Sequence, residues 1–222
     1  MKNQPRRVGF APEGAPILIV SGAIVVVAVA ISLLFGEEGR LLWLPALAVV
    51  WFFLTAQFFR DPERFPPRGE KLIVSPADGK VISIGEAMES PLSPVGIRVS
   101  IFMSPFNVHV NRSPVDGEIT SFEHKEGQYL GAFKPAASRE NEQTIIQMKT
   151  PHGAIAFKQI AGFLARRIVF HPKPGDKLVL GDRVGMIRFG SRVDIFFPES
   201  VAIKVRLGQM VTAGETVIGE FV

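Results

Sequence analysis

Apolar residues are concentrated near the start of the chain, in two long runs without charge. Residues 17–35 and residues 41–59 each form a run of 19 uncharged residues. A helix of that length spans about 28 Å, which is close to the hydrocarbon thickness of a bilayer. Only the five residues 36–40 separate the runs. The pattern therefore predicts two transmembrane helices that form a tight hairpin.

Basic residues flank the predicted hairpin at both ends, whereas the link between the runs carries one arginine and two glutamates. The flanking basic residues are Lys2, Arg6, Arg7, Arg60, Arg64, Arg68 and Lys71. The positive-inside rule then predicts that both ends of the hairpin face the cytoplasm. Two other interpretations stay open: a cleavable signal peptide for the first run, and a pair of buried helices in a soluble protein for both runs.

The pattern changes after Pro66 and Pro67. From there onward, short apolar stretches alternate with Gly, Pro and Asp, without an amphipathic helical pattern of convincing length. This predicts a membrane hairpin with its linker over residues 1–70 and a mostly β domain over residues 71–222. The candidate strands are 71–74, 80–84, 97–103, 117–124, 143–150, 154–160, 183–189, 192–197 and 202–205.

One glycine pattern occurs twice in the predicted β domain. Residues 175–185 and residues 208–219 share the same spacing of glycines and apolar residues, with an offset of 33 positions. Two copies predict an internal pseudo-symmetry, and such turns into short strands are typical of lipoyl- and biotinyl-type β-sandwiches. The predicted fold is therefore mostly β, a lipoyl/biotinyl-like pseudo-symmetric sandwich behind an N-terminal two-helix transmembrane hairpin.

Composition excludes several kinds of site. The chain has 222 residues and no cysteine, so disulfide scaffolds, thiolate metal sites and cysteine nucleophiles are excluded. The net charge of +4 is spread along the chain, which argues against a nucleic-acid partner. The four histidines do not have the spacing of a metal site, so no metal is predicted.

Three polar elements interrupt the predicted strands and could carry chemistry. Asp78 lies in a polar turn, where its carboxylate could cap the turn or orient a histidine. His109 follows a break in an apolar strand, and such breaks can present side chains to a cleft. Gly190 and Ser191 interrupt two alternating strands and by themselves indicate only a turn or bulge. A hydrolase serine elbow is disfavoured, because Gly-x-Ser-x-Gly before a helix is missing here.

The chain resembles the short bacterial form of phosphatidylserine decarboxylase in three segments and in their order. These are SPADG (75–79), FMSPFNVHVNRSP (102–114) and FGSRVDIFFP (189–198), behind a predicted hairpin that ends in FFRDPERFPP. The resemblance covers nearly the whole chain. It implies a membrane-bound, pyruvoyl-dependent enzyme that decarboxylates phosphatidylserine to phosphatidylethanolamine and carbon dioxide. It also implies the cytoplasmic (inner) membrane of a bacterium, with the catalytic domain on the cytoplasmic side.

The resemblance implies further that the chain is a proenzyme that cleaves itself between Gly190 and Ser191. Residues 1–190 would become the β chain and residues 191–222 the α chain, two partners from one precursor. Ser191 would become a covalent pyruvoyl group, whose ketone forms a Schiff base with the amino group of phosphatidylserine. Neither a metal nor an external cofactor is implied.

Roles for His109 and Asp78 follow from the same resemblance. His109 matches a family histidine implicated in decarboxylation, and Asp78 matches a family aspartate. Longer relatives carry a second histidine three positions further on, where this chain has Arg112, so the base for self-cleavage stays open. Either His109 serves both stages with Asp78 orienting it, or another group, His171 or Asp194, takes the proton. We favour the first, because Asp194 follows the cleavage site by three positions along a strand and should face the other side.

Binding of the lipid substrate is expected at the membrane surface. Moving two acyl chains into water costs roughly 0.8 kcal/mol per CH₂ group, so the active site should open toward the bilayer. Arg60, Arg64 and Arg68 are the predicted membrane-surface residues. Arg166 and Arg167 are candidates for binding the substrate phosphate, with a solvated charge pair as the alternative. A homo-oligomer stays open.

Three other functions stay open. A carrier protein would be modified at Lys149, in a Met-Lys pair that weakly resembles biotin and lipoyl hairpins but lacks the expected acidic or apolar neighbours. A pyruvoyl enzyme that acts on a soluble amino acid would share the self-cleavage but would not need a membrane hairpin. A structural membrane protein would not process itself at all.

Overall fold

The computed structural model describes residues 9–36, 39–87, 90–92, 96–163, 167–188 and 190–222. The chain divides into two compact units, Met1–Glu63 and Arg64–Val222. The described part of the first unit is mainly helical, and that of the second consists mostly of strands.

The first unit contains two apolar helices, α1 (Ala15–Phe35) and α2 (Trp43–Phe58). They pack together, and the indole N–H of Trp51 donates a hydrogen bond to Ser21 Oγ (3.2 Å). Among the described residues, Pro12–Phe35 is the one helical segment long and apolar enough to cross a bilayer. Helix α2 has 16 residues, about 24 Å of helix, so it is shorter than the second span that the sequence predicts.

The second unit is mostly β, as the sequence predicts. Its described strands are β1 (Leu72–Val74), β2 (Gly79–Glu86), β3 (Ile97–Met103), β4 (Val110–Arg112), β5 (Gly117–Lys125), β6 (Gln143–Thr150), β7 (Gly153–Ile160), β8 (Ile168–Phe170), β9 (Lys177–Leu178), β10 (Arg183–Ile187), β11 (Ser191–Phe197), β12 (Val201–Ile203), β13 (Met210–Val211) and β14 (Val217–Phe221). A short helix, α3 (Ala137–Glu140), lies between β5 and β6. After β3 the chain forms a tight turn, in which Asn107 N donates to Ser104 O (3.0 Å).

The described strands form one large antiparallel sheet and two small ones. The large sheet has eight strands in the order β13-β2-β3-β11-β7-β6-β5-β9. The small sheets have the orders β1-β14-β12 and β4-β10-β8. Strand β11 lies at the centre of the large sheet and pairs with β3 on one side and β7 on the other.

The second unit is built from two related halves. Strands β1 to β3 of the first half correspond to β4 to β6 of the second, and β11 to β14 correspond to β7 to β10. The pairs β2–β3 and β5–β6 even change register at equivalent positions, between Val81 and Ser83 and between Ile119 and Ser121. The internal pseudo-symmetry expected from the glycine pattern is therefore present in the strand arrangement. The likeness to lipoyl- and biotinyl-type sandwiches stays a prediction.

Two turns of nearly the same sequence, SPADG and SPVDG, start β2 and β5. In the first turn, Asp78 Oδ1 accepts a hydrogen bond from Ala213 N (2.7 Å). In the second, Asp116 Oδ1 accepts one from Leu180 N (2.6 Å). Ala213 and Leu180 occupy the same position in the two copies of the glycine pattern. One aspartate in each half therefore ties a copy of the pattern to the start of a strand.

The second half is inserted between two strands that would otherwise form a hairpin. In the second half, β6 and β7 are joined directly by residues 151–152. The equivalent strands β3 and β11 pair in the same way, with Met103 opposite Ser191, but residues 104–190 lie between them. The chain thus leaves the first half just after Met103 and returns just before Ser191. Both crossings lie at the same end of the large sheet.

Packing between β8 and β10 in the small sheet yields a stability prediction. Gly185 has φ +154°, and a Cβ atom there would collide with the carbonyl oxygen of Val169 on the paired strand. Gly185→Ala should lower the free energy of unfolding by about 1–3 kcal/mol, because the two backbones must separate. The measurement is equilibrium unfolding in urea, followed by circular dichroism.

Gly85→Ala is the matched control for this substitution. Gly85 is exposed in β2, and in the described part of the chain no atom lies within 4 Å of its Cβ position apart from its chain neighbours. Its free energy of unfolding should change by less than about 1 kcal/mol. Equal losses in the two variants would contradict the prediction.

Candidate active site

The second chain crossing brings Gly190 and Ser191 to the end of the large sheet. Ser191 is the first residue of β11 and is fully buried. Gly190 has φ +64°, a left-handed backbone conformation that favours glycine. Among the described residues beyond its chain neighbours, no atom lies within 4 Å of the Cβ position of Gly190. Glycine is therefore favoured at this position by backbone conformation and not by lack of space.

The carbonyl oxygen of Gly190 faces Gly162, which follows β7. A Cβ atom at Gly162 would collide with that oxygen and would lie 3.2 Å from Ala132 Cβ. Lack of space thus requires glycine at position 162. Sequence reasoning does not find Gly162, because no local pattern indicates that it lies against Gly190.

The hydroxyl of Ser191 donates a hydrogen bond to the thioether sulfur of Met103 (3.2 Å), its partner across β3 and β11. A thioether is a weak acceptor and does not take up a proton near neutral pH. The contact therefore orients the hydroxyl but leaves its proton in place. A proton acceptor for Ser191 has to come from another residue.

His109 is fully buried and lies directly before β4. Its Nδ1 lies 3.0 Å from the carbonyl oxygen of Asn107. The tautomer assigned from this contact carries its proton on Nδ1 and leaves Nε2 as the basic nitrogen. The Asn107 side chain also stabilises the preceding turn, since its Oδ1 accepts hydrogen bonds from N and Oγ of Ser104 (both 2.8 Å). The turn thus orients the imidazole through the backbone.

The strand that follows His109 lies next to the hydrogen-bond partner of Ser191. Asn111 comes two positions after His109, so in an extended chain both side chains leave the same face. Asn111 Nδ2 lies 3.8 Å from Met103 Sδ, the atom that accepts the hydrogen bond from Ser191. Ile187 N donates to the carbonyl oxygen of His109 (3.4 Å) and ties it to β10. The structure therefore brings the sequence segments of His109 and Ser191 together.

Asp78 lies at the same end of the large sheet, directly before β2. Strands β2 and β11 both pair with β3, so the backbones of Asp78 and Ser191 are about two strand spacings, roughly 10 Å, apart. Besides its bond from Ala213, Asp78 binds the guanidinium of Arg64 (2.9 Å), which also lies 3.4 Å from Glu215. These contacts give Asp78 a structural role in its turn. Its action on a histidine stays a proposal.

Arg112 is buried and contacts two turns. Its Nη1 donates to Gly181 O (3.0 Å), and its backbone N donates to Pro76 O (2.9 Å). Asp182, next to this contact, accepts a hydrogen bond from Val179 N (2.9 Å), and burial raises the pKa of the Asp182 carboxyl. Arg112 therefore links the first aspartate turn to the glycine pattern of the second half.

Asp194 lies on the face of β11 opposite to Ser191, as the sequence spacing predicts. Arg192 donates to both of its carboxylate oxygens (2.5 and 3.1 Å), and Ser138 Oγ donates to one of them (2.6 Å). Arg192 also donates to Ser100 Oγ (2.8 Å), and all four side chains are buried. Donors from Arg192 and Ser138 thus occupy both oxygens of the Asp194 carboxylate, on the face of β11 away from Ser191. The sequence did not single out Arg192, although it directly follows Ser191.

The other predicted polar residues lie apart from these contacts. His171 is exposed after β8, and its backbone N donates to Val184 O (2.9 Å). Arg167 is exposed as well, whereas Arg166 lies outside the described residues. In the part of the chain that the structure describes, groups of three or more His, Asp or Glu side chains that could hold a metal ion are absent.

The three arginines predicted for the membrane surface differ in their surroundings. Arg60 donates to the carbonyl oxygen of Gln57 (2.5 Å) in the first unit. Arg64 is engaged by Asp78 and Glu215 in the second unit. Arg68 is exposed. The ion pairs of Arg64 compete with any lipid headgroup for its charge.

Comparison with known proteins gives the same family as the sequence motifs. The sequence model of the family described as phosphatidylserine decarboxylase matches residues 51–219. A phosphatidylserine decarboxylase proenzyme of Chlorobium chlorochromatii is 46% identical over 179 residues, which cover 81% of this chain and 84% of the relative. A phosphatidylserine decarboxylase proenzyme of Chlorobaculum tepidum is 42% identical over 212 residues, which cover 95% and 97%. The chain belongs to the phosphatidylserine decarboxylase family.

Proposed function

We propose that this chain is a proenzyme that cleaves its own backbone between Gly190 and Ser191. The mature enzyme then decarboxylates phosphatidylserine to phosphatidylethanolamine and carbon dioxide. The observation that carries the proposal is that Gly190, in a left-handed conformation, precedes the buried Ser191. The two residues lie where the chain enters β11, at the end of its pairing with β3. Family membership and the word proenzyme in the names of both relatives agree with it.

Self-cleavage starts with the attack of Ser191 Oγ on the carbonyl carbon of Gly190. The new C–O bond replaces the peptide C–N bond, which gives an ester and a free amino group on Ser191. Removal of the Ser191 α-proton then expels the carboxylate of Gly190 and leaves dehydroalanine. Hydrolysis by water releases ammonia and leaves a pyruvoyl group at position 191. The left-handed conformation of Gly190 and the close contact with Gly162 support this step, because they hold the carbonyl in one orientation.

The surroundings of position 191 fit a small ketone. Met103 Sδ lies 3.2 Å from the Ser191 hydroxyl, and Asn111 Nδ2 lies 3.8 Å from the same sulfur, so a thioether borders the site and an amide donor lies behind it. The burial of Ser191 keeps bulk water away. When bound, the pyruvoyl ketone serves as the sink for the electrons that remain when the carboxyl group leaves as carbon dioxide. A metal is not part of the proposal.

We assign proton transfer in both stages to His109. The carbonyl of Asn107 orients its Nδ1, and in that tautomer Nε2 carries the lone pair that can accept a proton. In self-cleavage it would accept the proton of Ser191, and in turnover it would donate a proton to the lipid. The alternative that Asp194 takes this proton loses support, because Arg192 holds that carboxylate. His171 is exposed after β8, which also gives it less support.

Asp78 is proposed as a positioning residue for this centre. It holds the start of β2 through Ala213 and Arg64. Strand β2 in turn pairs with β3, which ends at Met103. Asp78 therefore acts on the reaction by holding the end of the sheet that carries Ser191.

The two products of self-cleavage are proposed to stay together as the β chain (1–190) and the α chain (191–222). Strand β11 of the α chain pairs along its length with β3 and β7 of the β chain. The contacts of Asp194 and Arg192 with Ser138 and Ser100 also join the two chains. Hydrogen bonds on both sides of one strand resist dissociation without any covalent link.

We propose that residues 1–70 anchor the enzyme in the cytoplasmic membrane of a bacterium. Helices α1 and α2 expose many large apolar side chains, which water disfavours and a bilayer accepts. The catalytic unit, residues 71–222, would lie on the cytoplasmic side. Phosphatidylserine could then reach the active site from the membrane surface.

Three exposed phenylalanines support contact between the catalytic unit and the lipid surface. Phe106, Phe133 and Phe163 are 70%, 64% and 71% exposed. They lie in the connections β3–β4, β5–β6 and β7–β8, each at the end of the large sheet where Ser191 lies. Aromatic side chains favour the bilayer interface. Arg167, exposed in the same connection as Phe163, is proposed to bind the substrate phosphate together with Arg166.

Ser191→Ala should leave a single uncut chain, because the attacking oxygen is gone. Ser200→Ala is the control, since Ser200 is exposed in the turn after β11 and should not affect cleavage. Denaturing electrophoresis and intact-mass measurement distinguish one chain from two. A full-length wild-type chain with a mass increment on Lys149 would support the carrier function instead.

His109→Gln should lower the decarboxylation rate by about 10²- to 10⁴-fold, because general acid–base catalysis contributes that much. Self-cleavage should slow as well, because the same histidine is proposed to accept the proton of Ser191. Carbon dioxide release from phosphatidylserine and the appearance of two chains measure the two effects. His124→Gln is the control, because the His124 side chain is 43% exposed. Normal rates in both assays would overturn the role of His109.

A tryptophan in place of Phe163 should enter the lipid interface. The only tryptophans, Trp43 and Trp51, are first replaced by Phe, so the new side chain is the only indole emitter. In vesicles that contain phosphatidylserine and brominated lipid, the Phe163→Trp emission should be quenched. Glu199→Trp, at the opposite end of β11, is the control and should stay unquenched. Equal emission from both probes would contradict membrane contact by this end of the sheet.

A further inference from the structure

A row of buried polar side chains leads through the core of the second unit to Ser191. Thr144 Oγ1 donates to Gln159 Oε1 (2.8 Å), and Gln159 Nε2 donates to Asn111 Oδ1 (2.8 Å). Asn111 Nδ2 then points at Met103 Sδ (3.8 Å), the same sulfur that accepts the Ser191 hydroxyl (3.2 Å). All five side chains are buried. We refer to Thr144, Gln159 and Asn111 as the polar chain.

The donors of the polar chain all point toward the sulfur. The hydroxyl of Thr144 engages the oxygen of the Gln159 amide, which directs the amide nitrogen to Asn111. Because Asn111 Oδ1 accepts the bond from Gln159, the amide nitrogen of Asn111 is directed to Met103. These amide orientations are assigned from the hydrogen-bond network. A thioether can only accept hydrogen bonds from such partners. The network therefore holds Met103 as an acceptor and Ser191 as a donor.

The matching positions in the first half of the unit carry apolar side chains. Matched strand registers give the pairs Asn111 with Ile73, Gln159 with Phe197, and Thr144 with Ile97. Ile73 and Phe197 are fully buried in the hydrophobic core. This arrangement of strands therefore packs well with apolar residues at these positions. At these matched positions, the polar side chains belong to the second half, and they lie at the end of the large sheet where Ser191 lies. This indicates that they have a role other than stabilising the fold.

We propose that Met103 is a positioning residue for self-cleavage and that the polar chain holds it in place. Its sulfur keeps the Ser191 hydroxyl in one orientation, so that Oγ stays near the carbonyl carbon of Gly190 until a base removes the proton. Orientation of this kind can change the rate of an intramolecular attack by orders of magnitude. This inference rests on the proposed self-cleavage and adds residues that the motifs did not indicate.

Met103→Leu removes the acceptor and nearly preserves the volume of the side chain. The half-time for conversion to two chains should lengthen by about tenfold or more. The pH at which cleavage reaches half its maximal rate should stay the same, because the base is unchanged. Cell-free synthesis with lipid vesicles, followed by gel electrophoresis over time at several pH values, measures both quantities.

Met148→Leu is the matched control. Met148 is also fully buried, and its sulfur also lies near a serine hydroxyl, 3.9 Å from Ser113 Oγ, which donates to Val115 O (2.8 Å). Its half-time should stay within about twofold of the wild type, since Ser113 does not react. A general loss of core packing would slow both methionine variants alike.

A second variant tests the polar chain independently of Met103. The triple change Asn111→Leu, Thr144→Val and Gln159→Leu replaces every polar member with an apolar side chain of similar size. Stability in urea should be kept or raised, because removing all members of a buried network together leaves no unpaired group. Cleavage should nevertheless slow by about as much as in Met103→Leu.

The outcomes separate this inference from the proposed function. If Met103→Leu cleaves with the same half-time as the wild type, the inference is overturned, whereas the proposed self-cleavage still stands. Equal slowing in Met103→Leu and Met148→Leu would have the same consequence. A correctly folded wild-type chain that never splits, yet acts on the lipid, would overturn the proposed self-cleavage and the inference with it.

Discussion

The pairing of β11 with strands on both of its sides is the constraint on which the rest of the structure depends. Ser191 is the first residue of this strand, and its register with Met103 determines where the serine hydroxyl and the preceding carbonyl lie. Pairing with β7 holds the other side of the strand from Arg192 onward. A peptide bond at the start of such a strand can be strained and reactive while the strand itself stays in place. The pairing of β11 on both sides also explains how the 32 residues of the proposed α chain stay bound after cleavage.

Pseudo-symmetry explains why the reactive bond lies at this point. A symmetric unit would join β3 to β11 by a short turn, as β6 is joined to β7. Insertion of the second half opens that turn and sends the chain out past His109 and back through Gly190. The proposed acid–base residue and the proposed cleavage site therefore come from the two crossings of one opened hairpin. The polar chain then breaks the symmetry chemically, because the same positions in the first half are apolar.

Buried charge marks the opposite face of the same strand. Arg192 and Asp194 are almost fully buried and bind one another with help from Ser138 and Ser100. Burying such a pair costs desolvation energy, and it persists only when hydrogen bonds satisfy both partners. Both partners are hydrogen-bonded here. Arg192, which directly follows the proposed nucleophile, is therefore held in place by Asp194 and Ser100. On the other face, the Ser191 hydroxyl donates to the thioether of Met103, which does not take up its proton.

The sequence by itself determined the local features of this protein. The apolar runs predicted helices, Gly, Pro and Asp spacing predicted short strands and an internal repeat, and three motifs identified the family with Ser191, His109 and Asp78. It did not determine the contacts of those residues, because the partners are distant along the chain: Ser191 and Met103 are 88 positions apart. Only the tertiary structure decided that Asp78 caps a turn, that Gly162 lies against Gly190, and that Asn111 approaches Met103. Strand register and the insertion of one half into the other create those contacts, and neither leaves a local pattern.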